Sequence, residues 1–577
     1  MLKPPPAANV ETRAKRSWRA LQALSHDMKS PAAGFESILM NPSRAGLLAK
    51  EIFSSLQQHH HHTKEEEEEQ ESSLSLLLHV RTLLENLLEA YPSSVVSAAA
   101  AGGKKGMDKH LGPLLSAQTS SHTLPTVTHL VLYGCTGKAW RASAERTLAD
   151  QQQQQQQQQQ MAMRGNAISH GHRRKFLRNL TEWGFLSRLI VDCMDEHEMN
   201  PTVGEDVCES ILTIVECLGY PTEDTIVTAQ PTTTEKKKHE SIGEQAFLAP
   251  LGKPEWWDPL VAKVSPQSSE ATKVAATRVM MGIFTLATGR SSRIRKTNTP
   301  IVDASEANLG GDDQVKANEQ QPQQQQQQQQ HKNKLREWGL TSKIHASLIA
   351  HLPQLAQALQ AGRRAKTESS SCATTYLERG TNHDNNDTVA AMGVPHPGRC
   401  RIVPFTSWRL HVIALFTEIV TWKEPDQGNH NDKDDKNVSL RHKAMSAVME
   451  LALPPEMRKN KDGVDNDDDA IMNPWPALCD WVFEYPENSL YHYQFIRLLQ
   501  AICMEHHEQS LRVVLQKAKF VSRAVKSCQQ TGPLRGVLLT CLNILRLRSV
   551  TLAPRAFLRQ FLESHDAWKA FQETLCQ

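Results

Sequence analysis

One apolar stencil, at positions i, i+3, i+4, i+7 and i+8, recurs five times along this chain. Val80-Leu83-Leu84-Leu87-Leu88 fits it, as do Leu186-Leu189-Ile190-Cys193-Met194 and Val412-Leu415-Phe416-Ile419-Val420. Phe495-Leu498-Leu499-Ile502-Cys503 follows, and Leu538-Cys541-Leu542-Leu545 matches one contact short. A stripe with that period is one face of a helix, and it must be buried against another helix. Its recurrence over nearly the whole length, with few alternating strand-like runs, predicts an all-α fold. The expected architecture is an α-α superhelix of armadillo or HEAT character, a stack of helix pairs without a strict sequence repeat. Such stacks present extended surfaces, so binding is the expected role.

Tracts that cannot fold punctuate the helices. His59 to His62 runs into Glu65 to Glu69, Gln151 to Gln160 is uninterrupted glutamine, and Gln323 to Gln330 is a second such tract. Asn429 to Asn437 and Asp462 to Asp469 are crowded with Asp, Asn and Lys. None can bury enough apolar surface to offset the entropy of ordering, so they read as disordered insertions. A solenoid tolerates them because the cost of loop closure grows only logarithmically with length. The resulting division is a helical N-terminal part at 1–150 with an insertion at 57–72, and a polyglutamine linker at 151–172. Helical repeats follow at 173–300, then a glutamine-rich linker at 301–332. C-terminal repeats at 333–577 carry loops at 363–400, 424–438 and 458–473.

Local breakers refine those blocks. Pro92 stops the helix predicted over 73–91, and Gly112-Pro113 and Gly134 are expected to break the block at 110–148. Gly184 marks a turn, and Gly219 is a C-cap candidate for the helix carrying Val207, Cys208, Ile211, Leu212, Val215 and Leu218. A helix is predicted over 334–361. In the last third, helices are expected at 404–420, 439–453, 475–483, 489–505, 510–528, 533–547 and 554–575, with short connections that imply antiparallel neighbours.

Composition narrows the function. Net charge is +2 over 577 residues and mean hydropathy is −0.48. No global field therefore recommends nucleic acid or an acidic membrane as a partner. The short basic clusters Arg173-Arg174-Lys175, Lys236-Lys237-Lys238 and Arg290 to Lys296 read as solvated helix ends or loops. Eleven cysteines, an odd number without any C-x-x-C pair, fit a reducing compartment. Met1 to Val10 is proline-rich and lacks a secretory h-region, and no run approaches bilayer-spanning length. The expected location is the cytoplasm, or cytoplasm and nucleus.

No catalytic, cofactor or metal signature stands against a binding role. Gly134-Cys135-Thr136-Gly137-Lys138 lacks the four-residue spacer, the hydroxyl residue after lysine and the preceding strand of a phosphate-binding loop. Glu196-His197-Glu198 and His506-His507-Glu508 lack the i, i+4 histidine pair of a helical zinc site and read as exposed helix ends. Asp462 to Asp469 misses the calcium-loop pattern, and there is no G-x-S-x-G elbow. The chain reads as a non-enzyme.

One segment is unusual for simple core. Trp481-Val482-Phe483-Glu484-Tyr485-Pro486-Glu487-Asn488-Ser489-Leu490-Tyr491-His492 gathers aromatics, a proline and an asparagine around a helix–helix turn. Pro486 is expected to end the first helix and Asn488 to cap the second. Such a corner either fills core or supplies aromatic anchors for a partner.

It resembles the F-x-Y-P-x-N-x-x-H corner of the SAPS-domain family, regulatory subunits of the type-6 serine/threonine protein phosphatase, through Phe483, Tyr485, Pro486, Asn488 and His492. Pro404 to Val412 is similar to that family's proline-led R-L-H-V helix start, with Arg409 and His411 in place. Leu515 to Arg523 resembles its hydrophobic-x-R helix end, Gly532 to Gly536 its glycine-bearing turn, and Trp568 a tryptophan near the domain's end. Upstream, Phe176 to Tyr220 is similar through Leu180, Glu182, Arg188, Leu189, Ile190, Ser210 and Ile211. The matches follow the family's order over about half of the chain. The family's tryptophan-and-phenylalanine start is missing, Glu487 replaces a usual aromatic, and the late turn lacks the G-Y-M-G-H-L wording, as in a divergent member.

The resemblance implies a non-catalytic subunit that binds a type-6-like phosphatase catalytic subunit, together with further scaffold subunits, and directs its substrates or location. It needs no cofactor. The residues it nominates for partner binding are Arg409, His411, Tyr485, Pro486, Asn488 and His492. The alternative is a generic armadillo/HEAT adaptor with another client. A third class, a glutamine-rich nuclear or RNA-associated regulator, rests on the tracts and basic runs.

Overall fold

The computed structural model describes residues 46–50, 52–53, 81, 84–85, 87–88, 91–115, 117–136, 168, 170–194, 201–220, 243–265, 267–289, 333–370, 394–396, 399–402, 405–422, 443–447 and 474–576. The insertions expected at 57–72, 301–332, 424–438 and 458–473 lie outside them, as does 151–167 of the linker expected at 151–172, whose last residues, 170–172, belong instead to a helix. The chain divides into two compact units, Met1–Trp256 with Gly282–Thr341, and Trp257–Met281 with Ser342–Gln577. Each is helix stacked on helix, of α-α solenoid character, and every described residue of the five stripes is buried. Full burial of one such Leu, Ile or Phe contributes about 1.5–3 kcal/mol, which is why the stripes dictate the stacking.

In the first unit, α1 (Pro92–Ala99) starts at the proline that ends the preceding run, where a missing N–H costs nothing. α2 (Gly103–Leu111) and a 3-10 turn (Gly112–Leu114) lead into α3 (Ala117–Thr136), the centre of this core. α4 (His170–Trp183) and α5 (Phe185–Val191) are separated by Gly184, whose φ of +75° makes the predicted turn. α6 (Pro201–Gly219) lies along α3. There Thr128 and Ser210 share a buried 2.9 Å hydrogen bond.

Two glycines do something other than the sequence suggests. Gly134 does not break the helix; it lies within α3, where any Cβ would collide with the ring of Phe176. Gly219 has no left-handed φ and ends α6 beneath the side chain of Leu335, so it too is a packing notch rather than a cap.

α7 (Pro254–Ala262), α8 (Glu270–Thr288), α9 (Lys334–Glu337) and α10 (Leu340–Ser370) follow. α10 continues nine residues past the predicted end at Ala361. Arg363, Arg364, Ala365, Lys366 and Glu368 are good helix formers, so the expected loop at 363–400 begins later. That region also holds two short antiparallel strands, β1 (Val394–His396) and β2 (Arg399–Ile402).

The second unit continues with α11 (Ser407–Thr421), α12 (Pro474–Glu484), α13 (Ser489–Met504) and α14 (Glu508–Arg512). A π-turn (Val513–Lys517) follows, then α15 (Phe520–Cys528), α16 (Arg535–Thr551), α17 (Phe557–Ser564) and α18 (Asp566–Cys576). The single helix expected over 510–528 is split. Ala518 N–H donates to the Val513 carbonyl at 2.8 Å, and Lys519 takes φ +51°. Val513, Val514 and Leu515 are all buried within this wide turn. Within this unit α13 packs on α11 and on α16, and α16 on α15.

Candidate functional site

The corner between α12 and α13 forms as its residues demand. Tyr485 to Asn488 make the turn, with Asn488 N–H donating to the Tyr485 carbonyl at 3.1 Å and Pro486 at the position where its fixed φ suits a β-turn. Asn488 Oδ1 accepts from Tyr491 N–H at 3.0 Å, the predicted cap. Tyr491 is fully buried, and its hydroxyl donates to the Leu478 carbonyl. Phe405, just before α11, lies 5.5, 5.1 and 5.0 Å from the rings of Trp481, Tyr485 and Tyr491.

The same residues hold the next helices. Arg523 of α15 reaches Asp480 at 2.5 Å and lies 4.2 Å over Phe483. Phe520 packs against both Phe483 and Phe495, at 5.9 and 5.3 Å. Burial holds the Tyr491 phenol well above its usual range and raises that of Tyr485. His492, 3% exposed, points its Nε2 at the Val482 carbonyl at 3.4 Å, and burial lowers its pKa below the usual imidazole value.

The six nominated residues fall into three settings. Asn488 and His492 are corner fittings, and Pro486 is a half-buried turn residue. Arg409 and Tyr485 meet at the corner's rim, where burial lowers the guanidinium pKa while Tyr485 and Glu270 act to raise it. His411 stands apart from the corner. Its Nδ1 is 3.4 Å from Thr277 Oγ1 of α8, and burial, then the charge of Arg278, lower its pKa.

α8 is the contribution that local sequence could not reveal. Lys273, 7% exposed, lies 5.4 Å from the Trp408 ring and 3.4 Å from Glu270, while Arg409 lies 5.1 Å from the same ring. Two cations against one indole are separated by more than a hundred positions in the chain, so no spacing rule finds them.

Beyond the corner, α13 turns a different face outward. Leu490, Tyr493 and Met504 are exposed there, and Leu547 and Val550 are exposed on α16. Arg497, on the same outward stripe, bonds Glu418 of α11 at 2.7 Å and lies 5.6 Å over the Tyr493 ring. Arg548 of α16 donates to the carbonyls of Cys503 and Met504, both at 3.1 Å, capping the negative end of α13. His507 is buried rather than an exposed helix end. It caps α14 by accepting from Ser510 N–H at 3.3 Å, because the turn at His506, φ +52°, swings it inward.

Among the described residues, no group of three His, Cys, Asp or Glu side chains is placed to hold a metal ion, and no helix is long and apolar enough to cross a membrane. No protein-family model, curated protein or solved structure matches the chain.

Proposed function

We propose that the chain is a non-catalytic regulatory or scaffold subunit that binds a type-6-like serine/threonine protein phosphatase catalytic subunit. The observation that carries this reading is the order of the residue matches, from Arg409 and His411 through Tyr485, Pro486, Asn488 and His492 to Arg523, along helices α11 to α15. A subunit of this kind supplies no reacting group. It raises the effective concentration of substrate beside an active site carried by its partner. A stable contact needs about 1,600 Å² of total buried surface, an area that several stacked helices offer.

The test is reconstitution of the purified full chain with a purified type-6 catalytic subunit, read by co-elution and confirmed by affinity capture from cells. Co-elution that survives moderate salt supports the reading. Loss of binding on Arg409→Ala with Tyr485→Ala, at unchanged helicity, would place the contact at the corner's rim. Failure to co-elute would leave a helical adaptor with another client.

A further inference from the structure

The outward face shared by α13 and α16 has a chemistry of its own. Of the seven large hydrophobic side chains exposed among the described residues, five stand on these two helices: Leu490, Tyr493, Met504, Leu547 and Val550. The helices pack together, and Arg548 fastens the end of one to the other, so Met504 lies close to the α16 turn bearing Leu547 and Val550. From Leu490 to Met504 the stripe runs about 21 Å, and neighbouring helix axes are about 8–10 Å apart. A strip of that size suits about four turns of one helix better than the face of a globular domain.

Charge specifies what would lie there. Neither α13 nor α16 contains an aspartate or glutamate, and Gln509 to Leu562 carries ten Lys and Arg without a single acid. Arg546 bonds the neutral Asn543, and Arg548 bonds carbonyls, Thr551 and His506. Neither arginine has a carboxylate partner among the described residues. A nucleic acid would satisfy the charge but not the aliphatic side chains. The face also has only one aromatic, Tyr493, itself beneath Arg497, so no stacking ladder exists.

We propose that the outward face of α13 and α16 docks a carboxylate-rich amphipathic segment of a partner protein, its apolar side chains on Tyr493, Met504, Leu547 and Val550 and its carboxylates on Arg546, which shares a face of α16 with Val550. The face would serve such a segment whether or not it belongs to a phosphatase, so it stands or falls separately from the co-elution test above.

The experiment is selection of a phage-displayed library of random 16-residue peptides on the purified full chain, in parallel with a Tyr493→Ser/Leu547→Glu/Val550→Ser variant. All three positions are exposed, and circular dichroism and a melting curve check that the variant folds. The expected result is enrichment of peptides combining Asp and Glu with helically spaced apolar residues. The best synthetic peptide should bind the variant at least about tenfold more weakly and weaken with added salt. Arg546→Glu should shift the selected consensus toward fewer acids. Basic or uncharged consensus peptides, equal enrichment on the variant, or no enrichment would overturn the proposal. So would a concentration-dependent dimer dissolved by the same substitutions, or stronger binding of single-stranded DNA or anionic vesicles to this face.

Discussion

α13 has two faces, and they are built on opposite principles. One side carries Tyr491, His492 and Phe495 into the corner, where they meet the Phe405 ring just before α11, the Val482 carbonyl of α12 and the Phe520 ring of α15. The other side leaves Leu490, Tyr493 and Met504 in solvent beside an arginine. Five residues of the resemblance, Phe483, Tyr485, Pro486, Asn488 and His492, lie on or beside the first face. Residues that interlock helices tolerate little change, whereas a surface can be redrawn one side chain at a time. A sequence motif in a stacked-helix protein therefore points first to a joint, and a docking surface has to be sought on the other side of the same helix.

The sharpest way to break this contrast is at the centre of the corner. Tyr491→Ala removes a fully buried ring and its bond to the Leu478 carbonyl, and should destabilise the second unit by about 3–5 kcal/mol. Urea unfolding followed by tryptophan emission reads it, since Trp481 lies 6.3 Å from that ring. A shift no larger than that of a surface substitution would contradict the corner as a joint. Asn488→Ala should cost about 1 kcal/mol through the lost cap, and Asn488→Asp much less, because aspartate caps as well.

Acid should also separate the faces. Burial lowers the His492 pKa from the ordinary 6.5, so the unfolded chain binds a proton more readily than the folded one. Stability is then fully present above about pH 6.5 and declines as pH falls through the folded value. Urea midpoints measured from pH 7.5 to 5 should fall, and His492→Gln should flatten part of that slope. His411 is depressed too, by burial and by Arg278, so the double variant should flatten it further. The smallest effect belongs to the outward face. Leu547→Ser or Tyr493→Ser should change stability by no more than about 0.5 kcal/mol, whatever it does to binding.

Much of the fold could be read in advance because apolar burial, the main force stacking these helices, follows a short period along the chain. The stripes at Leu186 to Met194, Val412 to Val420, Phe495 to Cys503 and Leu538 to Leu545 are buried as their spacing requires. The turns at Gly184 and Asn488 were equally legible, since left-handed φ and side-chain capping are local properties. Gly134 and Gly219 misled for a definite reason. A glycine inside a helix and a glycine that ends one look alike in sequence, and only the rings and methyls of Phe176 and Leu335 distinguish them. The π-turn at Val513–Lys517 was hidden in the same way, because the burial that favours it comes from other helices.

The candidate site was legible in part. Corner residues announced themselves through their density of aromatics, but Lys273, Glu270 and Thr277 of α8 gave no local sign of meeting Trp408, Arg409 and His411. The outward face did leave a trace, in the acid-free run from Gln509 to Leu562 and the apolar residues set opposite a buried stripe.

By itself, then, the sequence determined that this chain is helical, where its main stripes lie and how its α12–α13 turn is capped. Each of those follows from interactions within a few residues. Tertiary structure alone decided which glycines are notches, which histidines are buried, which cations share an indole and which face of α13 is left exposed. Those outcomes depend on side chains brought together from distant positions, and no short-range period encodes them.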